Sequence, residues 1–484
     1  MAWLYRFEAK SIQQYVLGSQ KLKEILGASA VVQALSDELI PAVLARTGGS
    51  VLYSAAGGAT LRFETEASLR DFVPRITVEA ARFAPGLPTV QAWTRDGEGA
   101  VAELQRRLRH ARNVQPFAVP IGNAVIDRSP DGWPALPKTD HDDRQLDLVR
   151  RAKLHAHDHF LRPLEKRFFA ARAAELEAPR EIDDIAGRGE ARYVAVIHAD
   201  GNGVGQLLPA LTTAEKMGAF SSALAEATLA AVHRASDELF DVDNRLCGRP
   251  VVVGGDDVTV IVAAGRATAW VQAFCAAFEE ETQARGQING RQGLTASAGI
   301  ALVRSKHPFR QAYDLAEALC SYAKREGRAA GSPSLVAFKR VSNTLDADLP
   351  APVSGAESRH RFGPYLVGAS AQTGFARLDA VRAAAHAAAR RDVARGPLRT
   401  LAQRLTARPE SAARHFERLC VVHSESRGFS LLRQRLADLA EGLDTELYVP
   451  VRRATATGTL ADVTATPWFD ILDLMAVEGT GGTR

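Results

Sequence analysis

The chain has only four cysteines in 484 residues, Cys247, Cys275, Cys320 and Cys420. They are far apart and form no CxxC pair, which excludes a zinc ribbon and a disulfide framework and makes them expected core thiols. Charge of one sign is also missing. Sixty Lys and Arg stand against 56 Asp and Glu, a net of +4, too small and too dispersed to identify a nucleic-acid ligand. The opening MAWLYRFEAKSIQQY has neither the basic n-region nor the apolar h-region of a signal peptide, and no run reads as long enough to span a bilayer. A cytoplasmic protein without a membrane partner is expected. Low-complexity tracts are absent as well, and 46% hydrophobic with 24% charged residues is the composition of a globular chain long enough for roughly three domains.

Against this background one stretch stands out. Residues 251–262, VVVGGDDVTVIV, are a β-branched run interrupted by two glycines and two aspartates. The glycines supply the positive φ of a tight hairpin turn, which places Asp256 and Asp257 at its tip. Aspartate and glycine are also ordinary turn residues, so the motif alone reads equally as turn chemistry. Upstream, RYVAVIHADGNGVGQLL (192–208) is an apolar strand whose carboxyl end is Asp200. It is followed by a glycine-rich turn into a helix, where backbone N–H groups favour phosphate; in isolation this too is a connecting turn. If the two elements are neighbours, three carboxylates meet at one sheet edge with no basic residue beside them in sequence. Such a cluster is stable when divalent cations neutralise it, and Mg2+ or Mn2+ with hard oxygen ligands suits it.

Farther on, GLTASAGIALV (293–303) reads as a strand and HPFRQAYDLAEALCSYAKREGR (307–328) as a helix with Tyr313, Ala316, Leu319, Cys320 and Ala323 on its buried face. Lys324 and Arg328 lie four apart near its end, placed either for the helix dipole or as phosphate ligands of a triphosphate.

The order DGNGVG, GGDD, TASAGIAL, AEALCSYAKREGR resembles the GGDEF and palm nucleotidyl-cyclase superfamily, and within it the large polymerase-like subunit of type III CRISPR effector complexes. The resemblance to the catalytic palm covers about residues 190–341. It implies a metal-dependent nucleotidyltransferase that converts ATP to a cyclic or linear oligoadenylate. Carried over, Asp200, Asp256 and Asp257 are the catalytic and metal-binding acids, with the Gly201 carbonyl a further metal ligand. Asn202, Gly203, Gly205, Gly254, Gly255, Lys324 and Arg328 are implied to bind the nucleotide. Guide or target RNA and protein subunits of an effector complex are implied partners. Many relatives have a second acid where this chain has Asn202. The residues that read guanine in diguanylate cyclases, and the inhibitory Arg-x-x-Asp before their turn, are absent, which disfavours guanine. A nucleotide-binding scaffold with little catalysis and a diguanylate-type cyclase remain the rival readings.

The amino-terminal region repeats the pattern: WLYRFEA as a strand, a long helical stretch, then SVLYSAAGGATLRFE as a hairpin and LPTVQAWTR as a strand. Gly57 and Gly58 keep the turn, and a motif-to-motif match puts Ala59 and Thr60 where Asp256 and Asp257 stand. This copy also looks like the first palm of the CRISPR subunit; its turn at Gly57 and Gly58 is a candidate second nucleotide site.

The expected architecture is therefore α+β, with two ferredoxin-like palms, a helical linker and a C-terminal helical domain. The boundaries are a degenerate first palm at 1–112, a linker at 113–186, the GGDD palm at 187–345 and helices at 346–484. Because the first palm starts at residue 2, no N-terminal HD nuclease domain is expected. In the linker, HAHDHF puts His155 and His159 at i,i+4, either a metal clamp or, more simply, a solvated helical face.

Overall fold

The computed structural model describes residues 2–114 except 20 and 56, 146–169, 179, 181–186, 192–286 except 242–244, 288, 292–341, 362–368, 374–439 except 408, 447, 449–454 and 460–478. The Pro-rich connector anticipated in the linker lies outside them.

The first unit runs β1 (Trp3–Ala9), α1 (Ile12–Leu17), α2 (Leu22–Ala34), a π turn (Leu35–Leu39), α3 (Ile40–Thr47), β2 (Ser50–Ala55), β3 (Gly58–Phe63), α4 (Glu66–Phe83), β4 (Thr89–Arg95) and α5 (Ala100–Asn113). Its sheet order is β2-β3-β1-β4, and every pairing is antiparallel, the ferredoxin-like arrangement. Next come α6 (Leu148–Phe169) and the short α7 (Ile182–Ile185).

The second unit runs β5 (Tyr193–Gly201), α8 (Val204–Leu207), α9 (Ala214–Ala235), β6 (Gly248–Gly254), β7 (Asp257–Ala263), α10 (Ala267–Ala284), β8 (Ala296–Arg304), α11 (Phe309–Arg328), β9 (Leu335–Arg340) and β10 (Tyr365–Leu366). Its order, β10-β9-β8-β5-β7-β6, contains the same core with two strands added at one edge. The remainder is helical, α12 (Leu378–Ala389), α13 (Arg395–Ala407), α14 (Pro409–Val422), α15 (Arg427–Leu439) and α16 (Trp468–Val477), with a hairpin, β11 (Val449–Ala454) and β12 (Leu460–Ala465), that the helical expectation for this region did not contain.

Alternation along the second sheet decides which side each residue serves. Ala195, Ile197, Val258, Val260, Ile300 and Leu302 face α9, α10 and the C-terminal helices in one core. Val194, Val196, Ile261, Ala301 and Val303 face α11, and that core runs on without a break into the first unit. The period places His198, Asp200, Asp257, Thr259 and Ser297 on the α11 side.

Two expectations need correction or refinement. The helical run Leu22–Thr47 is long and apolar enough to cross a membrane by length and composition, but 61% of the qualifying window is buried inside the fold; its apolarity serves the first sheet and α6. Of the four cysteines, all free, Cys247, Cys275 and Cys320 are buried and Cys420 is half-buried.

Candidate functional site

Asp200 is the penultimate residue of β5, and register sets its neighbours: it pairs with Asp257 on β7 and with Ser297 on β8. The β6–β7 turn has Gly255 at φ 62 followed by Asp256, the φ pattern of a type II′ turn with glycine at its first central position. Gly201 donates its N–H to the Asp256 carbonyl at 3.2 Å. A Cβ on Gly201 would meet the Asp256 side chain at 2.9 Å, so only glycine lets the turn close over the strand end. The three aspartates thus lie at the same end of the sheet, Asp200 and Asp257 as register partners and Asp256 in the turn beside them.

Helix α11 brings the counter-charge. A Cβ on Gly299 of β8 would lie 1.9 Å from the Ala316 carbonyl and 2.5 Å from the Cys320 nitrogen, so the helix rides directly on the sheet backbone. One turn beyond Cys320, Lys324 Nζ reaches Asp200 Oδ2 at 2.6 Å and donates to the Gly201 carbonyl at 2.8 Å. Arg328 is exposed one further turn along, and among the described residues no ion pair joins it to the carboxylates.

The cluster is short of positive charge. Burial first and the Asp200 carboxylate second push Asp256 up to about 7, and the same two causes in the same order push Asp257 up to about 7. Asp257 Oδ2 accepts from Gln13 Nε2 at 2.8 Å, whereas Oδ1 is buried with no hydrogen-bond donor. His198, which burial holds below its ordinary pKa, brings Nδ1 to 3.3 Å from that oxygen. Among the described residues no group of three acidic or metal-ligating side chains is drawn together on one point: Lys324 holds Asp200 and Gln13 holds Asp257. The donor set nevertheless fits a hard divalent cation. Asp200 and the Gly201 carbonyl already converge on one cation, the ammonium, and Asp257 Oδ1, with only His198 Nδ1 nearby, accepts no hydrogen bond.

The remaining sequence candidates divide. Gly254 and Gly255 form the hairpin, and Gly203 caps α8 at φ 77 with no heavy atom near its absent Cβ; Gly205 is equally open. Asn202 is turned away into structure: Ser297 Oγ donates to its Oδ1 at 3.0 Å and its Nδ2 donates to Thr295 Oγ1 at 3.0 Å. Gly57 and Gly58 are buried, and the Gly57 N–H donates to Ser36 Oγ of the π turn at 2.8 Å. His155 and His159 stack with ring centres 3.9 Å apart, far along the chain from the acids.

Register also realigns the two copies. In the first unit Ala55 pairs with Gly58 across the turn and Glu8 pairs with Gly58; in the second, Gly254 pairs with Asp257 and Asp200 with Asp257. Ala9 donates to the Gly57 carbonyl at 2.9 Å as Gly201 does to Asp256, and Lys10 donates to Pro88 as Asn202 does to Thr295. Gly57 and Gly58, not Ala59 and Thr60, therefore occupy the places of Asp256 and Asp257. Glu8 occupies that of Asp200, ion-paired to Arg6 and Arg112. Ser11, at φ 51, takes the left-handed position that Gly203 holds in the second copy.

The copies face one another. Gln13 comes from α1 of the first unit, and a Cβ on Gly218 of α9 would meet the Leu52 carbonyl of β2 at 2.9 Å. Tyr53 of β2 has its pKa raised chiefly by burial, with Arg6 and Arg167 lowering it and the Asp256 carboxylate adding to the rise. A cavity of about 280 Å³ lies between the units, walled by Ser11, Gln13, Val32, Val252 and Asp257. None of Gln13, His198 and Tyr53 is singled out by the sequence, because Gln13 and Tyr53 reach the site only through packing and His198, on the same face of β5 as Asp200, reads as an ordinary strand histidine.

The second unit is a ferredoxin-like palm with acids at the end of its first strand and on the adjoining hairpin. Residues 193–330 match the family described as Cas10/Cmr2, second palm domain, and the chain resembles the Cas10-like large subunit of type III CRISPR complexes on that segment. No curated protein matches the chain by sequence. Similar solved structures include a Csm1–Csm4 cassette in complex with pppApA, at TM-score 0.49 and 14% identity over 74% of this chain and 55% of that one. The cassette in complex with cA4 has TM-score 0.48 and 14% identity over 72% and 55%. Csm1 from T. onnurineus has TM-score 0.48 and 14% identity over 74% and 54%. The chain spans about half the length of these structures.

Proposed function

We propose that the second palm is a metal-dependent nucleotidyltransferase that joins ATP into a cyclic or linear oligoadenylate, within a type III CRISPR-like assembly. The observation that carries the reading is the placement of Asp200, Asp256 and Asp257 at one end of a palm of the Cas10/Cmr2 kind, with Lys324 as their single close cation among the described residues. Asp200, the Gly201 carbonyl, Asp256 and Asp257 would hold Mg2+ or Mn2+. A divalent metal bound there supplies charge neutralisation for a triphosphate and for the pyrophosphate that leaves. Lys324, released from Asp200, turns to the phosphates, and Arg328 lies one turn away on the same helix. The ribose hydroxyl of a second nucleotide attacks the α-phosphate, the bond to pyrophosphate breaks, and no protein nucleophile is needed. That acceptor sits in the cavity between the palms beside Gln13 and Asp257 rather than on Gly57 and Gly58, whose backbone is covered.

The test is incubation of the chain with each nucleoside triphosphate and Mg2+ or Mn2+, with products identified by mass spectrometry. Adenylate oligomers that vanish in Asp256→Asn and Asp257→Asn are expected. Nucleotide binding without products, with or without added RNA and partner subunits, would leave a scaffold; guanylate products would establish the diguanylate reading instead.

A further inference from the structure

We propose that a second, basic and aromatic groove, on the first palm and remote in sequence from the acid cluster, binds a nucleotide unit: a base stacked on phenylalanine with its phosphate held by arginine. The groove encloses about 480 Å³ and is walled by Arg82 and Phe83 of α4 and by Leu148, Arg151, His155 and Phe160 of α6. That volume is within the roughly 300–1,000 Å³ of small-ligand sites.

Its chemistry is one-sided. Every charged or titratable residue on its wall is basic, and among the described residues neither Arg82 nor Arg151 has an ion-pair partner. Arg151 is placed against the helix dipole. Helix α6 is capped by Asp147, which accepts the Arg150 N–H at 2.9 Å, yet its first turn contains no acid. Arg150 has Glu24 at 3.8 Å; Arg151 is exposed at the helix end that repels cations and attracts anions. His155 is stacked on His159 at 15° between planes, and His159 Nδ1 lies 2.8 Å from the His155 carbonyl, so the imidazole pair is fixed beside the arginines. The floor is apolar: Phe83 and Phe160 lie 5.9 Å apart at 51°, and Leu148 is 51% exposed. An anion alone would not need that floor, and an apolar ligand would not need the cations. A base with a phosphate uses both.

The unit is either a free nucleotide or one residue of a single-stranded RNA. The experiment uses the full chain without divalent metal and with uridine probes, so that failure of the ATP reading does not affect it. Fluorescence anisotropy follows a 3′-labelled, 5′-phosphorylated hexauridylate, with UMP as competitor. Saturable micromolar binding is expected. Arg82→Ala with Arg151→Ala, both exposed and compatible with folding, should weaken it at least tenfold and flatten the slope of log K against log salt by about 0.7, the release expected for one phosphate neutralised on a single strand. Phe83→Leu should weaken it about fivefold or more without changing the slope. Competition by UMP at equal concentration identifies the free nucleotide as the source, and competition only in large excess identifies the strand. Absence of saturable binding, or binding indifferent to Arg82 and Arg151, overturns the proposal.

Discussion

Replacing Asp257 by Asn should make the metal-free protein more stable while abolishing its response to magnesium. A carboxyl whose pKa is raised from 3.8 to about 7 costs the folded state about 4 kcal/mol at the limit once it ionises. The side chain is 29% exposed, and solvent screening reduces the figure to about 1–2 kcal/mol. Between the two pKa values the folded protein holds the proton and the unfolded chain does not, so stability falls as pH rises through that window and is lowest above 7. Asparagine has no charge to lose, and its amide oxygen can still accept from Gln13. Its gain is therefore full at pH 8, about 2–8 °C in the midpoint of the second palm's transition, and falls to about a third at pH 5. Scanning calorimetry at both pH values, with and without excess magnesium, reads all of this. Magnesium should raise the wild-type midpoint at pH 8 and leave the variant unmoved. A variant less stable than wild type at pH 8, by an amount independent of pH, would show that Asp257 is a satisfied structural carboxylate and would refute the argument.

Four other outcomes are expected. Lys324→Met removes the cation on Asp200 and should cost the metal-free palm about 1–2 kcal/mol, with a larger magnesium-induced rise in Tm than wild type shows; an unchanged rise would mean that the ammonium and the metal do not share a site. Gly299→Ala thrusts a methyl group into the α11 backbone and should destabilise by about 1–3 kcal/mol or more in chemical denaturation, with oligoadenylate synthesis reduced in the folded fraction; normal stability would contradict the close approach of helix and sheet. Arg249 is 3% exposed and its guanidinium lies 2.5 Å from Glu165, so Arg249→Met should cost about 3–5 kcal/mol, and Glu165→Leu added to it should recover most of the loss; a costless single variant would refute the buried pair. Because both palms belong to one chain, specific activity should stay constant on dilution through the nanomolar range, and a fall in proportion to concentration would require two chains.

The second palm was largely legible because its elements carry strong local signals. A β-branched run broken by Gly-Gly can hardly be other than a hairpin, and the spacing of Tyr313, Ala316, Leu319, Cys320 and Ala323 fixed the buried face of α11. The duplication was legible too, but its alignment was not. Matching glycine to glycine set Ala59 and Thr60 against the aspartates, whereas strand pairing, which depends on where the chain turns rather than on which residues turn it, sets Gly57 and Gly58 there. Gln13 and His198 gave no signal: one acts across the contact between palms, the other as an apparently ordinary core histidine two residues before Asp200. The β11–β12 hairpin was missed because the Ala- and Arg-rich segments before it set the reading of the whole C-terminal region as helical. The run Leu22–Thr47 shows the converse, since an apolar helix wrapped by a sheet and a second helix has the composition of a membrane span.

The tight seat of Gly57 makes the acid-free tip of the first copy hard to convert into an acidic one. An aspartate restored there would bring its Cβ to 3.0 Å from Val32 and 3.1 Å from Ala9, at a φ of +75 that disfavours any side chain. Glu8 has meanwhile taken Arg6 and Arg112 as permanent partners. An acid at position 57 is therefore strained before any other change is in place, and the acid-free tip of the first copy is held by its own packing. The first copy offers no ready substitute for Asp256 and Asp257: a chain that lost either would keep the architecture and, on the proposed reading, give up the chemistry.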